Sequence, residues 1–127
     1  MVAPLKVGIA GLGTVGAEVV RLIEAQGTAL AARCGRGIRV VAVTARSKAK
    51  KRNLDLRGVA WAKSALDLAN DANVDCFVEL MGGSGDPALS AIDAALKSGK
   101  SVVTANKALI AKHGLRLAKS AKRMAAR

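Results

Sequence analysis

A strand-like run, LKVGIA at 5–10, leads directly into GLGTVG at 11–16, and an amphipathic helical pattern follows. Three glycines spaced G-x-G-x-x-G between a strand and a helix leave few folds open. On spacing alone the glycines fit any tight strand–helix turn. The flanking elements give them a more specific meaning.

The rest of the chain alternates in the same way. Residues 14–25 place Val15, Val19, Leu22 and Ile23 on one helical face. Gly27 is one stop for this helix; a continuation to the Gly35-Arg36-Gly37 turn is the other. IRVVAVT at 38–44 is β-branched and reads as a strand buried on both faces. Residues 45–57 read as a surface loop and VAWA at 59–62 as a short strand. Ser64 fits the cap of a helix running to about Asn70, and VDCFVEL at 74–80 is another buried strand. Asp86-Pro87 signals a helix start, with Asp as cap and Pro in the first turn; that helix stops at Gly99. SVVT at 101–104 is a strand, and 106–112 and 115–126 are helical. This alternation predicts an α/β fold, a Rossmann-type doubly wound parallel sheet in three α/β/α layers. One domain spanning 1–127 is the expected size.

Charge then narrows the partners. The formal net charge is +12, and no acidic residue follows Asp93. Such a balance favours anionic partners, phosphates among them. Trp61 and Phe77 are the only aromatics, so stacking platforms for single-stranded nucleic acid are missing. No zinc-finger or RNP-type motif occurs, and the expectation is no nucleic-acid partner. No run reaches the ~18 apolar residues of a membrane span, so no membrane partner is expected. Cys34 and Cys76 form no disulfide framework or metal pattern. They read as free thiols in a reducing, cytoplasmic setting, with no metal site.

In this context the glycines fit a dinucleotide fingerprint. Gly11 allows the tight turn, Gly13 lets a pyrophosphate approach the backbone, and Gly16 lets helix and strand pack closely. The first amides of the following helix carry partial positive charge toward the phosphates. An NAD site usually has Asp or Glu at the end of the second strand. Here no carboxylate lies between Gln26 and Leu54, and Arg46, Ser47 and Lys48 follow the strand instead. Those groups suit a 2′-phosphate, which favours NADP, with NAD as the alternative; a solvated basic loop is the plainer reading.

Three stretches together resemble the nucleotide-binding domain of homoserine dehydrogenases: GLGTVG at 11–16, VELMGG at 78–83 and TANKALIAKHG at 104–114. AVTARSK at 42–48 resembles that family's second-strand end. The resemblance implies hydride exchange between NAD(P) and homoserine or aspartate semialdehyde, in the synthesis of threonine, methionine and isoleucine. It implies that Leu12, Gly13, Thr14 and Val15 hold the pyrophosphate beside Gly11 and Gly16. It also implies that Arg46 meets the adenosine end and that Met81, Gly82 and Gly83 pass beside the cofactor. Lys107 lies, by the same resemblance, near the nicotinamide and the substrate hydroxyl as the catalytic residue. Taken alone, Lys107 reads as an exposed lysine at a helix start. Glu79 is open between a ribose contact and a cap, and His113 beside Gly114 reads as a helix-end residue.

Family members continue into a substrate and dimerisation domain, whereas this sequence ends at Arg127. The expectation is a chain that holds the dinucleotide without turnover, since hydride transfer needs both reactants in near-attack geometry. Homoserine or aspartate semialdehyde would then bind only with the further domain, and the oligomeric state is open. A stand-alone dinucleotide module without chemistry is the alternative.

Overall fold

The computed structural model describes residues 3–47 and 54–125. Among them, five strands form one all-parallel sheet in the order β3-β2-β1-β4-β5. The strands are β1 (Leu5–Ala10), β2 (Ile38–Thr44), β3 (Ala60–Trp61), β4 (Cys76–Glu79) and β5 (Ser101–Thr104). The order reverses direction at β1, which pairs with β2 on one side and β4 on the other. In open α/β sheets that reversal opens a crevice at the carboxyl ends of the strands.

Each face of the sheet has its own apolar layer. Val7, Ile9, Val43, Cys76 and Val78 point to the face covered by α1 (Thr14–Ala25) through Val20 and the neighbouring Leu12. Ala10, Ala42 and Phe77 point to the other face. That face is covered by α3 (Ala65–Ala69), α4 (Ala88–Lys97) and α5 (Lys107–Ala125), through Leu68, Ile92, Leu109 and Leu117. The period-two alternation along β1 and β4 therefore fills two cores with small side chains, and Phe77 is the one large ring buried completely. Burial pushes the Cys76 thiol above its ordinary pKa, with the Asp75 charge a smaller cause, so it stays a protonated core residue.

The strands and most helix bounds follow the sequence pattern, with four departures. The first helix ends at Ala25 as expected, and α2 (Gly27–Cys34) resumes beyond Gln26, at φ −116° and ψ 21°; β3, by contrast, keeps only Ala60 and Trp61 of the expected 59–62. β4 is shorter than the apolar run, because Val74 closes a turn onto Asp71 at 3.0 Å and only Cys76–Glu79 join the ladder. α4 begins at Ala88, one residue later than the Asp-Pro signal predicts. Asp86 still caps it, accepting from the Ser90 amide at 2.9 Å and from its hydroxyl, which holds the Asp86 carboxyl below its ordinary pKa.

The fourth departure is larger. The expected break at His113-Gly114 is absent, and α5 runs unbroken through both residues, so His113 is mid-helical. Leu109 and Leu117 keep helical phase across the glycine, and both are buried. A helical glycine costs about 1 kcal/mol, while burying one leucine returns roughly 2 kcal/mol. Packing therefore outweighs the local stop signal.

One short helix depends on its cap. Ser64 Oγ accepts from the Asp67 amide at 3.1 Å and starts α3, whose Leu68 and Ala69 are fully buried. Ser64→Ala is expected to lower stability by about 1 kcal/mol, read from a urea midpoint. An unchanged midpoint would show that α3 is held by packing alone.

Candidate functional site

Every residue that the sequence marks for the cofactor and the structure describes lies at the carboxyl edge of the sheet. The ladder fixes this: Ala10 pairs with Thr44 and with Glu79, and Glu79 pairs with Thr104. The loops after β2, β1, β4 and β5 thus emerge side by side, in that order. At about 4.8 Å per strand they span roughly 15 Å from Arg46 to Lys107.

The first loop is held on both sides. The Gly11 amide donates to the Thr44 carbonyl at 2.9 Å. Gly11 has φ 104°, and a Cβ there would lie 2.7 Å from the Leu80 carbonyl oxygen. So β1 turns at Gly11 directly against the loop that leaves β4. At Gly16 a Cβ would fall 1.9 Å from the Gly11 carbonyl oxygen. The helix can start this close to the strand only because that residue is glycine.

Gly13 differs from both. Its φ of −73° suits any residue, and an added Cβ would meet nothing among the described residues within 4 Å. Neither backbone conformation nor internal packing requires glycine at this position. Gly13, Thr14 and Val15 are exposed, Val15 to 57%. The first helical bond, Ala17 to the Gly13 carbonyl at 2.9 Å, leaves the earlier amides of α1 pointing out of its N-terminus. Among the described residues no side chain caps that end, and its first turn holds no acid. The side chain of Leu12 is buried in the core beneath the loop. This residue offers the site only backbone.

At the neighbouring loops, Arg46 and Ser47 are exposed just beyond β2. Lys48 lies outside the described residues. Lys107 is exposed as the first residue of α5, and its ammonium makes no ion pair among the described residues. Met81 is half-buried, while Gly82 and Gly83 are exposed at φ 82° and 85°. The Met81 and Gly82 amides both donate to the Glu79 carboxylate, at 2.7 and 3.1 Å. Gly83 accepts through its carbonyl from the Asn106 side chain. This loop therefore faces the crevice with glycine Cα atoms and its remaining carbonyls, not with the first two of its amides.

Three residues of this edge were not singled out by their residue types, or were left open: Glu79, Thr104 and Asn106. All sit in the two stretches that carry the family resemblance, VELMGG and TANK, and that pairing was the signal. Glu79 is buried completely, and its carboxylate accepts from the Met81 and Gly82 amides and the Thr104 hydroxyl.

Similarity to known proteins agrees with this geometry. Residues 11–127 match the family model described as "Homoserine dehydrogenase, NAD binding domain". A homoserine dehydrogenase of Corynebacterium glutamicum is 44% identical over 120 residues, covering 91% of this chain and 26% of that protein. One from Pseudomonas aeruginosa is 42% identical over 111 residues, covering 87% of this chain and 25% of that protein. The crystal structure of S. aureus homoserine dehydrogenase superposes with a TM-score of 0.87 at 33% identity, covering 98% of this chain and 32% of that one. This chain thus spans about a quarter of the length of the curated relatives it matches. With the parallel sheet, the glycine loop and the two signature stretches all in place, the chain belongs to the homoserine dehydrogenase family and corresponds to its NAD-binding domain.

Proposed function

We propose that this chain binds NADP across the carboxyl edge of the sheet, as the cofactor-holding part of an enzyme that interconverts aspartate semialdehyde and homoserine. The observation that carries the reading is Gly13, where glycine is required by nothing in the protein and a Cβ would project into open space beside uncapped helix amides. That is what a site needs if a diphosphate is to lie against the backbone. A bound nicotinamide would supply or accept the hydride.

The chain's own groups divide the work. Amides at Gly13, Thr14 and Val15 hold the diphosphate, and the positive end of the α1 dipole reinforces them. Arg46 and Ser47, one strand over, hold the adenosine end, with Lys48 beside them in sequence. Met81, Gly82 and Gly83 form the floor beside the nicotinamide. Lys107 stands past β5 as the cation nearest the reacting alcohol, where an ammonium steadies developing negative charge or relays its proton. This chain spans about a quarter of the length of its curated relatives, and hydride transfer needs both reactants in near-attack geometry. The substrate is therefore placed by the remainder of the protein, and this chain by itself should bind without turnover. The two free thiols, Cys34 exposed and Cys76 buried, fit a reducing cytoplasm.

Titration with NADPH and NADH, followed by nucleotide fluorescence, tests the reading. The chain should bind NADPH saturably, and no saturable uptake of either nucleotide would overturn the proposal. Arg46→Ala should weaken NADPH by about tenfold, the scale of one hydrogen bond to a charged group, and leave NADH nearly unchanged. Equal losses for both nucleotides would remove Arg46 from the 2′-phosphate. Homoserine-dependent formation of NADPH by this chain alone would refute the division of labour.

A further inference from the structure

Glu79 is 0% exposed at the end of β4. A carboxylate so placed is costly unless donors surround it. Its Oε2 accepts from the Met81 and Gly82 amides, at 2.7 and 3.1 Å, and its Oε1 accepts from the Thr104 hydroxyl. Thr104 Oγ1 in turn accepts from the Asn106 amide at 3.0 Å. The Asn106 carboxamide donates to the Gly83 carbonyl, and its Oδ1 accepts from the Leu109 amide at 3.1 Å, capping α5. Among the described residues no buried side-chain polar atom lacks a partner, so the network is complete.

The connections form a ring. From Glu79 they pass to the β4 loop at Met81 and Gly82, from Gly83 to Asn106, and from Asn106 through Thr104 back to Glu79. Two segments more than twenty residues apart in sequence become one unit. One of them is the floor beside the nicotinamide in the proposed function; the other ends on Lys107. Both Glu79 oxygens are engaged inside the protein, which leaves neither for substrate or cofactor.

We propose that Glu79, with Thr104 and Asn106, is a positioning clasp. It locks the Met81–Gly83 loop to the first turn of α5 and so sets where Lys107 stands over the dinucleotide. The inference rests on the dinucleotide reading for its purpose, but the clasp itself is a feature of the protein alone. The carboxylate matters because charge-assisted bonds are roughly twice as strong as neutral ones. A glutamine would keep one acceptor oxygen for the amides and turn an NH2 toward a hydroxyl that now donates.

Glu79→Gln, Thr104→Val and Thr104→Ser in this chain test the clasp through two measurements. Amide hydrogen exchange reads the clasp without any ligand, and NADPH titration reads its consequence. Thr104→Val removes the hydroxyl while keeping the shape. It should speed exchange at Met81, Gly82 and Asn106 by about tenfold, the size of one hydrogen bond, with Ile9 and Val43 in the central strands unchanged. NADPH affinity should fall by a similar factor, Glu79→Gln should act in the same direction, and Thr104→Ser should restore both readings. Unchanged exchange in Glu79→Gln and Thr104→Val would overturn the clasp. Faster exchange with undiminished NADPH affinity would overturn its positioning role. A wild-type chain that takes up no NADPH would overturn the dinucleotide reading and the positioning role with it, and the exchange rates would still decide the clasp.

Discussion

Gly16→Ala is expected to destabilise the protein by about 3 kcal/mol or more, a large share of the ~5–15 kcal/mol that holds a domain together. The added methyl would stand 1.9 Å from the Gly11 carbonyl oxygen, a backbone atom that no rotamer change can move. Alanine is favoured over glycine in a helix by about 1 kcal/mol, which is too little to offset that contact. Relief requires α1 to lift from the end of β1. The buried Val20 and Ala17 would then lose their seats in the core. Urea or thermal unfolding measures the loss, and a variant as stable as the parent would show that α1 does not lie so close to the strand. Because the glycine loop moves with the helix, NADPH binding should fall as well.

Gly13→Val should do the opposite: sharply weaken nucleotide binding and leave the fold almost untouched. The backbone at this residue is extended, and an added Cβ would meet nothing among the described residues within 4 Å. Valine caps a helix less well than glycine, a cost of at most about 1 kcal/mol. Its branched side chain, however, would occupy the space a diphosphate needs in order to reach the α1 amides. Losing two charge-assisted hydrogen bonds of ~1.5 kcal/mol each removes about 3 kcal/mol, on the order of a hundredfold in affinity. Circular dichroism, urea unfolding and NADPH titration on one sample check both halves. Unimpaired binding would mean that the diphosphate lies elsewhere. A collapse in stability would mean that Gly13 serves the fold after all. Gly13 and Gly16, three positions apart in one motif, thus separate the two uses of glycine: one for the ligand and one for the chain.

The sequence was legible where local signals agreed. Leu5–Ala10, Thr14–Ala25, Ile38–Thr44 and Ser101–Thr104 fall on their expected bounds. In the strands, apolar period, β-branching and flanking glycine point the same way, whereas α1 keeps its bounds but buries Gly16, Ala17 and Val20 in place of the expected face of Val15, Val19, Leu22 and Ile23. It was less legible where a local signal opposed long-range packing. The His113-Gly114 stop lost to the burial of Leu117. The apolar run at 74–80 joins the ladder over only Cys76–Glu79.

The sequence by itself determined the class of fold, the place of the glycine loop between β1 and α1, and the cationic group that follows β2. These depend on residues near one another along the chain, where conformational preference and spacing are written directly. Only the tertiary structure decided that β1 stands at the reversal of strand order, that Leu12 turns inward, and that Gly11 rests against Leu80. It alone showed that Glu79 is spent on Met81, Gly82 and Thr104. A carboxylate's role depends on which donors the fold brings to it: here two amides turn back from its own loop, and the Thr104 hydroxyl arrives from β5.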